Sequence, residues 1–79
     1  MRVEVRLFAT LRDYAPKEAT AGVFSTELPE GATLDTLLAE LRIATEKIHL
    51  RMVNGAGAED SHILKDNDRV GLFPPVGGG

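Results

Sequence analysis

The feature that most constrains the fold of this chain is a short leucine stripe near its middle. Leu34, Leu37, Leu38 and Leu41 fall at i, i+3, i+4 and i+7, which lines one face of an α-helix. Thr33 stands at the N-cap position, and Asp35 in the first turn suits the positive end of the helix dipole. The leucines read as core. One helix cannot bury such a face alone, so the flanking segments must supply the opposing layer.

Those flanks are patterned as strands. Over residues 2–8, Val3, Val5 and Leu7 alternate with Arg2, Glu4 and Arg6, a half-buried strand. Phe8 falls on the charged face at its end, where it is either exposed, an edge cover or a contact residue. Residues 9–21 form a connection in which Leu11-Arg12-Asp13-Tyr14 suggests one helical turn, stopped by Pro16. A second strand is expected over 22–28, with Phe24, Thr26 and Leu28 inward, before the turn Pro29-Glu30-Gly31.

After the helix a third strand covers 48–53, in which Ile48, Leu50 and Met52 alternate against His49 and Arg51. Asn54-Gly55 follows, a turn dipeptide that accepts positive φ at both residues. The weakly patterned stretch 56–63 has room for a short edge strand. A polar turn, Lys65-Asp66-Asn67-Asp68, precedes the last strand over 69–73. Two strands, a helix and two or three further strands make an α+β architecture. The simplest arrangement is a β-grasp, or ubiquitin-like, fold: a four- to five-stranded mixed sheet with one main helix packed on one face. In it the first two strands form a hairpin, and the last runs parallel to the first through the helical crossover.

A chain of 79 residues has room for one domain, and without cysteine neither a disulfide nor a thiolate metal site supports it. The 43% apolar content argues against disorder of the whole chain. The net charge of −3, with Lys and Arg dispersed, lacks the basic footprint of a nucleic-acid binder. No apolar run approaches the ~20 residues that span a bilayer, and the first residues hold no signal-peptide core. A cytoplasmic protein, with neither nucleic acid nor membrane as partner, is the expectation.

The side chains offer no recognisable chemistry. His49 and His62 lack a second ligand at metal-binding spacing, so no metal site is expected. Asp66 and Asp68 lack the glycine and distal glutamate of a calcium loop, and Glu59-Asp60 reads as loop solvation. No G-x-S-x-G, dinucleotide loop or Walker sequence occurs.

The terminal run Phe73-Pro74-Pro75-Val76-Gly77-Gly78-Gly79 stands apart. The two prolines stop the last strand, which divides the chain into a domain over 1–76 and a flexible tail over 77–79. Four extended residues from Val76 to Gly79 reach about 13–14 Å, enough to enter a partner's pocket. Glycines fit a channel too narrow for other residues, and a terminal carboxylate becomes reactive once adenylated. A frayed terminus is the competing explanation of the same residues. Freezing glycines costs backbone entropy with little apolar burial in return, so a partner must also grip the domain. Phe73 and Phe8 both fall opposite the core residues of their strands. If those strands are neighbours, the two rings and Val76 form one exposed patch of the kind that marks interfaces.

These residues carry a family resemblance. Phe8-Ala9 with Leu11-Arg12, Val53-Asn54-Gly55, and the run from Leu64 through Phe73-Pro74-Pro75-Val76 to Gly79 resemble MoaD, the small subunit of molybdopterin synthase. The resemblance spans essentially the whole chain, and Phe-Pro-Pro-Val before the terminal glycines is its most specific part. The chain departs from the family pattern at Asn67, where Asp-Gly-Asp is usual, at Arg42, where glycine is expected before Ile43, and in its third terminal glycine.

The resemblance implies a sulfur carrier with no side-chain active site of its own and no bound cofactor. An E1-like adenylating enzyme would activate the Gly79 carboxylate with ATP, and a persulfide donor would convert it to a thiocarboxylate. Gly77 and Gly78 would pass through a channel of the large synthase subunit, and sulfur would reach precursor Z. Phe73, Pro74, Pro75, Val76 and Phe8 would dock the partner. Three other functions remain open: a carrier for thiamine thiazole or tungsten-cofactor synthesis, a ubiquitin-like protein modifier, and a plain β-grasp binding module.

Overall fold

The computed structural model of the chain describes residues 1–75. It is a β-grasp: strands β1 (Arg2–Leu7), β2 (Val23–Glu27), β3 (Leu50–Val53), β4 (Ala56–Gly57) and β5 (Arg69–Phe73), with helix α1 (Leu34–Leu41). The sheet order is β2-β1-β5-β3-β4. β1 pairs antiparallel with β2 and parallel with β5, and β3 runs antiparallel to both β5 and β4. The expected hairpin and crossover are both present, and β5 occupies the centre.

The core forms where the alternating strands meet the leucine stripe. Val3, Val5 and Leu7 of β1 and Val70 and Leu72 of β5 are buried together with Leu34, Leu37 and Leu38 of α1. Leu41 and Phe24 pack at its margin, and Leu11, Ile43, Ile48 and Leu64 close it from the connections. The Thr33 hydroxyl accepts from the Thr36 N–H at 3.3 Å, and the Thr36 hydroxyl accepts from the Thr33 N–H at 3.1 Å. This reciprocal pair satisfies two helix-end donors, so Thr36 performs the role usually taken by Glu or Gln.

Three strand boundaries differ from the sequence pattern for a backbone reason, and β2 also ends one residue early, at Glu27. β1 stops at Leu7 because Ala9 turns at φ 52, although Phe8 remains extended and donates to Leu72 O at 3.2 Å. β2 begins after Gly22, whose φ of 81 belongs to a tight turn closed by Thr20 and Val23. A Cβ at residue 22 would also collide with the Leu7 carbonyl oxygen, so only glycine fits there. β3 begins at Leu50, because residues 45–47 form a single 3₁₀ turn that ends at Ile48.

The alternation expected in β3 does not hold as one face. Ile48 is buried, but Leu50 pairs with Phe73 and Met52 with Gly71, on the side of the sheet away from α1. Val53 and Arg51 take the inward positions opposite Val70 and Leu72. Arg51 is tolerated there because it lies at the rim and is fully engaged. Its Nε donates to Asp60 Oδ1 at 2.7 Å, and its terminal nitrogens reach the carbonyls of Ile48 and Thr45. Asp60 therefore anchors a loop, where the sequence suggested only solvation.

The last polar turn is also tied down. Asp68, only 6% exposed, accepts from the Lys65 N–H and from Asn54 Nδ2, both at 2.8 Å. Asn54 Oδ1 in turn accepts from the Arg69 N–H at 2.9 Å, so the β3–β4 turn is fastened to the start of β5. Asn54 and Gly55 hold φ values of 54 and 85, as that dipeptide predicts.

Two of the three departures from the family pattern, Asn67 and Arg42, fall on left-handed backbone. Asn67 sits at φ 71, which asparagine tolerates, and Arg42 ends α1 at φ 60. A side chain with Cβ costs roughly 1 kcal/mol in that region. Arg42→Gly is expected to raise the unfolding free energy by about 0.5–1 kcal/mol, a shift of several degrees in Tm. Arg42→Ala, which keeps the Cβ, should give no such gain. Urea denaturation of the three proteins reads the difference directly.

Candidate functional site

The central position of β5 decides what surrounds its C-terminal end. Phe73 is its last residue and points away from the core, because Val70 and Leu72 take the inward positions. Phe8 leaves β1 on the same side, one residue after Leu7, which pairs with Leu72. The two rings stack with centroids 4.2 Å apart and planes 7° from parallel. Both stay half-exposed, so the stack is a surface feature.

β3 widens that surface. Leu50 lies opposite Phe73 and is 41% exposed, and Met52 lies opposite Gly71. Phe8, Phe73, Leu50 and Met52 thus form an apolar patch on the open face of the sheet. Arg6 and Arg69 flank it. Pro74 and Pro75 follow at its edge, the first half-buried and the second exposed. Neither supplies an N–H, so the sheet ladder cannot continue through them.

The site residues expected from sequence therefore divide in two. Phe8, Phe73, Pro74 and Pro75 are brought together in one place. Val76, Gly77, Gly78 and Gly79 lie outside the described residues. Leu50 and Met52 were not singled out by the sequence. The alternation of their own strand gave no clue, because Arg51 fills an inward position, and only the register against β5 assigns their side.

No group of three or more His, Asp or Glu side chains among the described residues is arranged to hold a metal ion. His49 and His62 are both exposed and line a wide depression that also contains Arg51 and Asp60. The Arg51–Asp60 pair in it is already accounted for as a loop anchor. No helix among the described residues is long and apolar enough to cross a membrane.

Comparison with known proteins bears on the family and the fold. No curated protein matches the chain. Among solved structures, a Pyrococcus furiosus protein assigned as molybdopterin converting factor, subunit 1, is 31% identical with a TM-score of 0.73. The match covers 95% of this chain and 98% of that one. Subunit 1 in the complex of subunits 1 and 2 of the molybdopterin-converting factor from Helicobacter pylori fits at 28% identity and a TM-score of 0.65 over all of both chains. SAMP1 of Haloferax volcanii, also covered completely, has a TM-score of 0.74 at 22% identity, a likeness of fold. The ThiS family model matches residues 5–79, from the first strand through the terminal glycines. The chain belongs to the ThiS family and has the ubiquitin-like sulfur-carrier fold that ThiS and MoaD share.

Proposed function

We propose that this chain is the small, sulfur-donating subunit of a molybdopterin synthase, loaded as a thiocarboxylate on Gly79. The observation that carries the reading is the apolar patch of Phe8, Phe73, Leu50 and Met52 at the root of a Pro-Pro-Val-Gly-Gly-Gly run. Such a patch gives a partner a grip on the domain, which the glycines cannot supply. The likeness to subunit 1 of the Helicobacter pylori complex supports a large subunit as that partner.

The chemistry is borne by the main chain. An E1-like enzyme directs the Gly79 carboxylate onto the α-phosphate of ATP, giving an acyl-adenylate and pyrophosphate. A persulfide sulfur attacks the acyl carbon and AMP leaves. A second thiol then displaces the donor's sulfur as a disulfide, and the thiocarboxylate remains on Gly79. Gly77 and Gly78 carry it along a channel in the large subunit to precursor Z, while Phe73, Pro74, Pro75, Val76 and Phe8 hold the domain in place. ATP is consumed by the activating partner, and this chain binds no cofactor.

Mass spectrometry of the C-terminal peptide, after incubation with ATP, an E1-like enzyme and a sulfur donor, tests the reading. The expected result is oxygen-to-sulfur exchange confined to Gly79 and trapped by a thiol-directed alkylating reagent. The peptide is the right analyte because oxidation of Met1 or Met52 gives a similar mass change in the intact chain. An unmodified tail beside a demonstrably active E1-like enzyme overturns the proposal. Conjugates to lysine at higher mass would point instead to a protein modifier, which shares the chemistry only as far as the acyl-adenylate.

A further inference from the structure

The open face of the sheet contains a socket that the fold itself does not require. Gly71 faces outward in the middle of β5, between Arg6 on β1 and Met52 on β3. It is not among the glycines at positive φ, so its backbone does not call for glycine. Nor does crowding, because an added Cβ would stand 3.5 Å from the Phe73 ring and 3.7 Å from the Phe8 ring, ordinary contact distances. Glycine weakens a strand interior relative to alanine, and in strands it often marks close approach by another group.

Gly71 lines a depression of about 240 Å³ together with Phe8, Met52, Phe73, Arg6 and Arg69. Phe8, Phe73 and Met52 give it apolar lining. Arg69 lies beside Glu4 in register, but the Glu4 carboxylate is taken by Arg6 Nε at 2.7 Å. Among the described residues Arg69 has no ion-pair partner. Among the described strand residues of β1, β2 and β5, this face presents Arg2, Arg6 and Arg69 against Glu4 and Glu27, on a chain whose net charge is −3. A free guanidinium next to an apolar socket is complemented by a carboxylate beside an apolar side chain.

We infer that the large synthase subunit seats an apolar side chain over Gly71 and sets a carboxylate against Arg69. This inference rests on the function proposed above and specifies the partner surface that it requires. Arg69 and Gly71 act in it as specificity determinants and take no part in sulfur chemistry.

Calorimetric titration of the full-length chain with the large subunit, at low and at physiological salt, tests it. Gly71→Ala should keep or raise Tm while weakening Kd about fivefold or more, because the methyl group occupies the socket. Arg69→Glu should weaken Kd about tenfold or more at low salt, with the loss shrinking as salt screens it. Arg69→Lys should retain most of the affinity. Wild-type affinity in both Gly71→Ala and Arg69→Glu overturns the inference, as does a loss confined to the E1-like enzyme. A wild-type chain that acquires no sulfur and binds neither partner removes the proposed function, and this inference with it.

Discussion

A chain lacking Gly78 and Gly79 is expected to fold as the full chain does and to deliver no sulfur. The buried core among the described residues ends at Leu72, and Pro75 is already exposed, so Tm should be unchanged within a degree or two. Removing two residues shortens the maximum reach of the tail by about 7 Å, roughly half of what four residues beyond the prolines could span. The reacting carbon would then stop short of the acceptor, and misplacement on that scale removes the advantage of positioning altogether. Transfer to precursor Z should fall below detection. Deleting Gly79 alone is a weaker test, because two glycines still end the chain. Gly78→Trp, which keeps the length and blocks a narrow channel, should abolish transfer by a different route. Normal transfer by the double deletion would exclude Gly79 as the sulfur-bearing residue.

The fold was largely readable in the sequence because local pattern and tertiary demand agree over most of it. The Val3, Val5, Leu7 alternation, the leucine stripe and Asn54-Gly55 each had one physical solution, and the structure adopts it. Where the reading slipped, a polar side chain had taken an inward position. Arg51 occupies an inward site because Asp60 and two carbonyls satisfy it, and this reverses the apparent facing of Leu50 and Met52. Asp68 looked like a solvating turn residue, yet it is buried as the acceptor that joins two turns. Neither assignment is available from spacing alone, since each depends on a partner 9 or 14 residues away. The Phe8–Phe73 patch was foreseeable because it required only that β1 and β5 be neighbours. Its extension across Gly71 to Met52 and Leu50 required the register of a third strand.

Phe73→Ala should be the most damaging single substitution on the docking patch, and its kinetic signature should differ from that of the truncated tail. A half-buried aromatic at the centre of a docking surface is the type of residue whose loss costs roughly 2–4 kcal/mol of binding. Affinity for the large subunit should therefore fall about 30- to 1,000-fold. Some folding stability goes with it, on the order of 1 kcal/mol, because the stack at 4.2 Å loses one ring. Circular dichroism should still report a folded chain. Because Phe8 leans on Phe73, Phe8→Ala should reproduce part of the binding loss, and the double variant should lose less than the sum of the two. Under the proposed function the patch would supply grip and the tail the reacting atom, so the two kinds of damage should separate with concentration. Phe73→Ala loaded with sulfur should show a raised KM for transfer and a kcat close to wild type, the pattern of lost uniform binding. The truncated chain should stay inactive at any concentration. A Phe73→Ala chain with wild-type KM and kcat would move the docking surface elsewhere, while one with wild-type KM and a depressed kcat would place the ring in the transfer step itself.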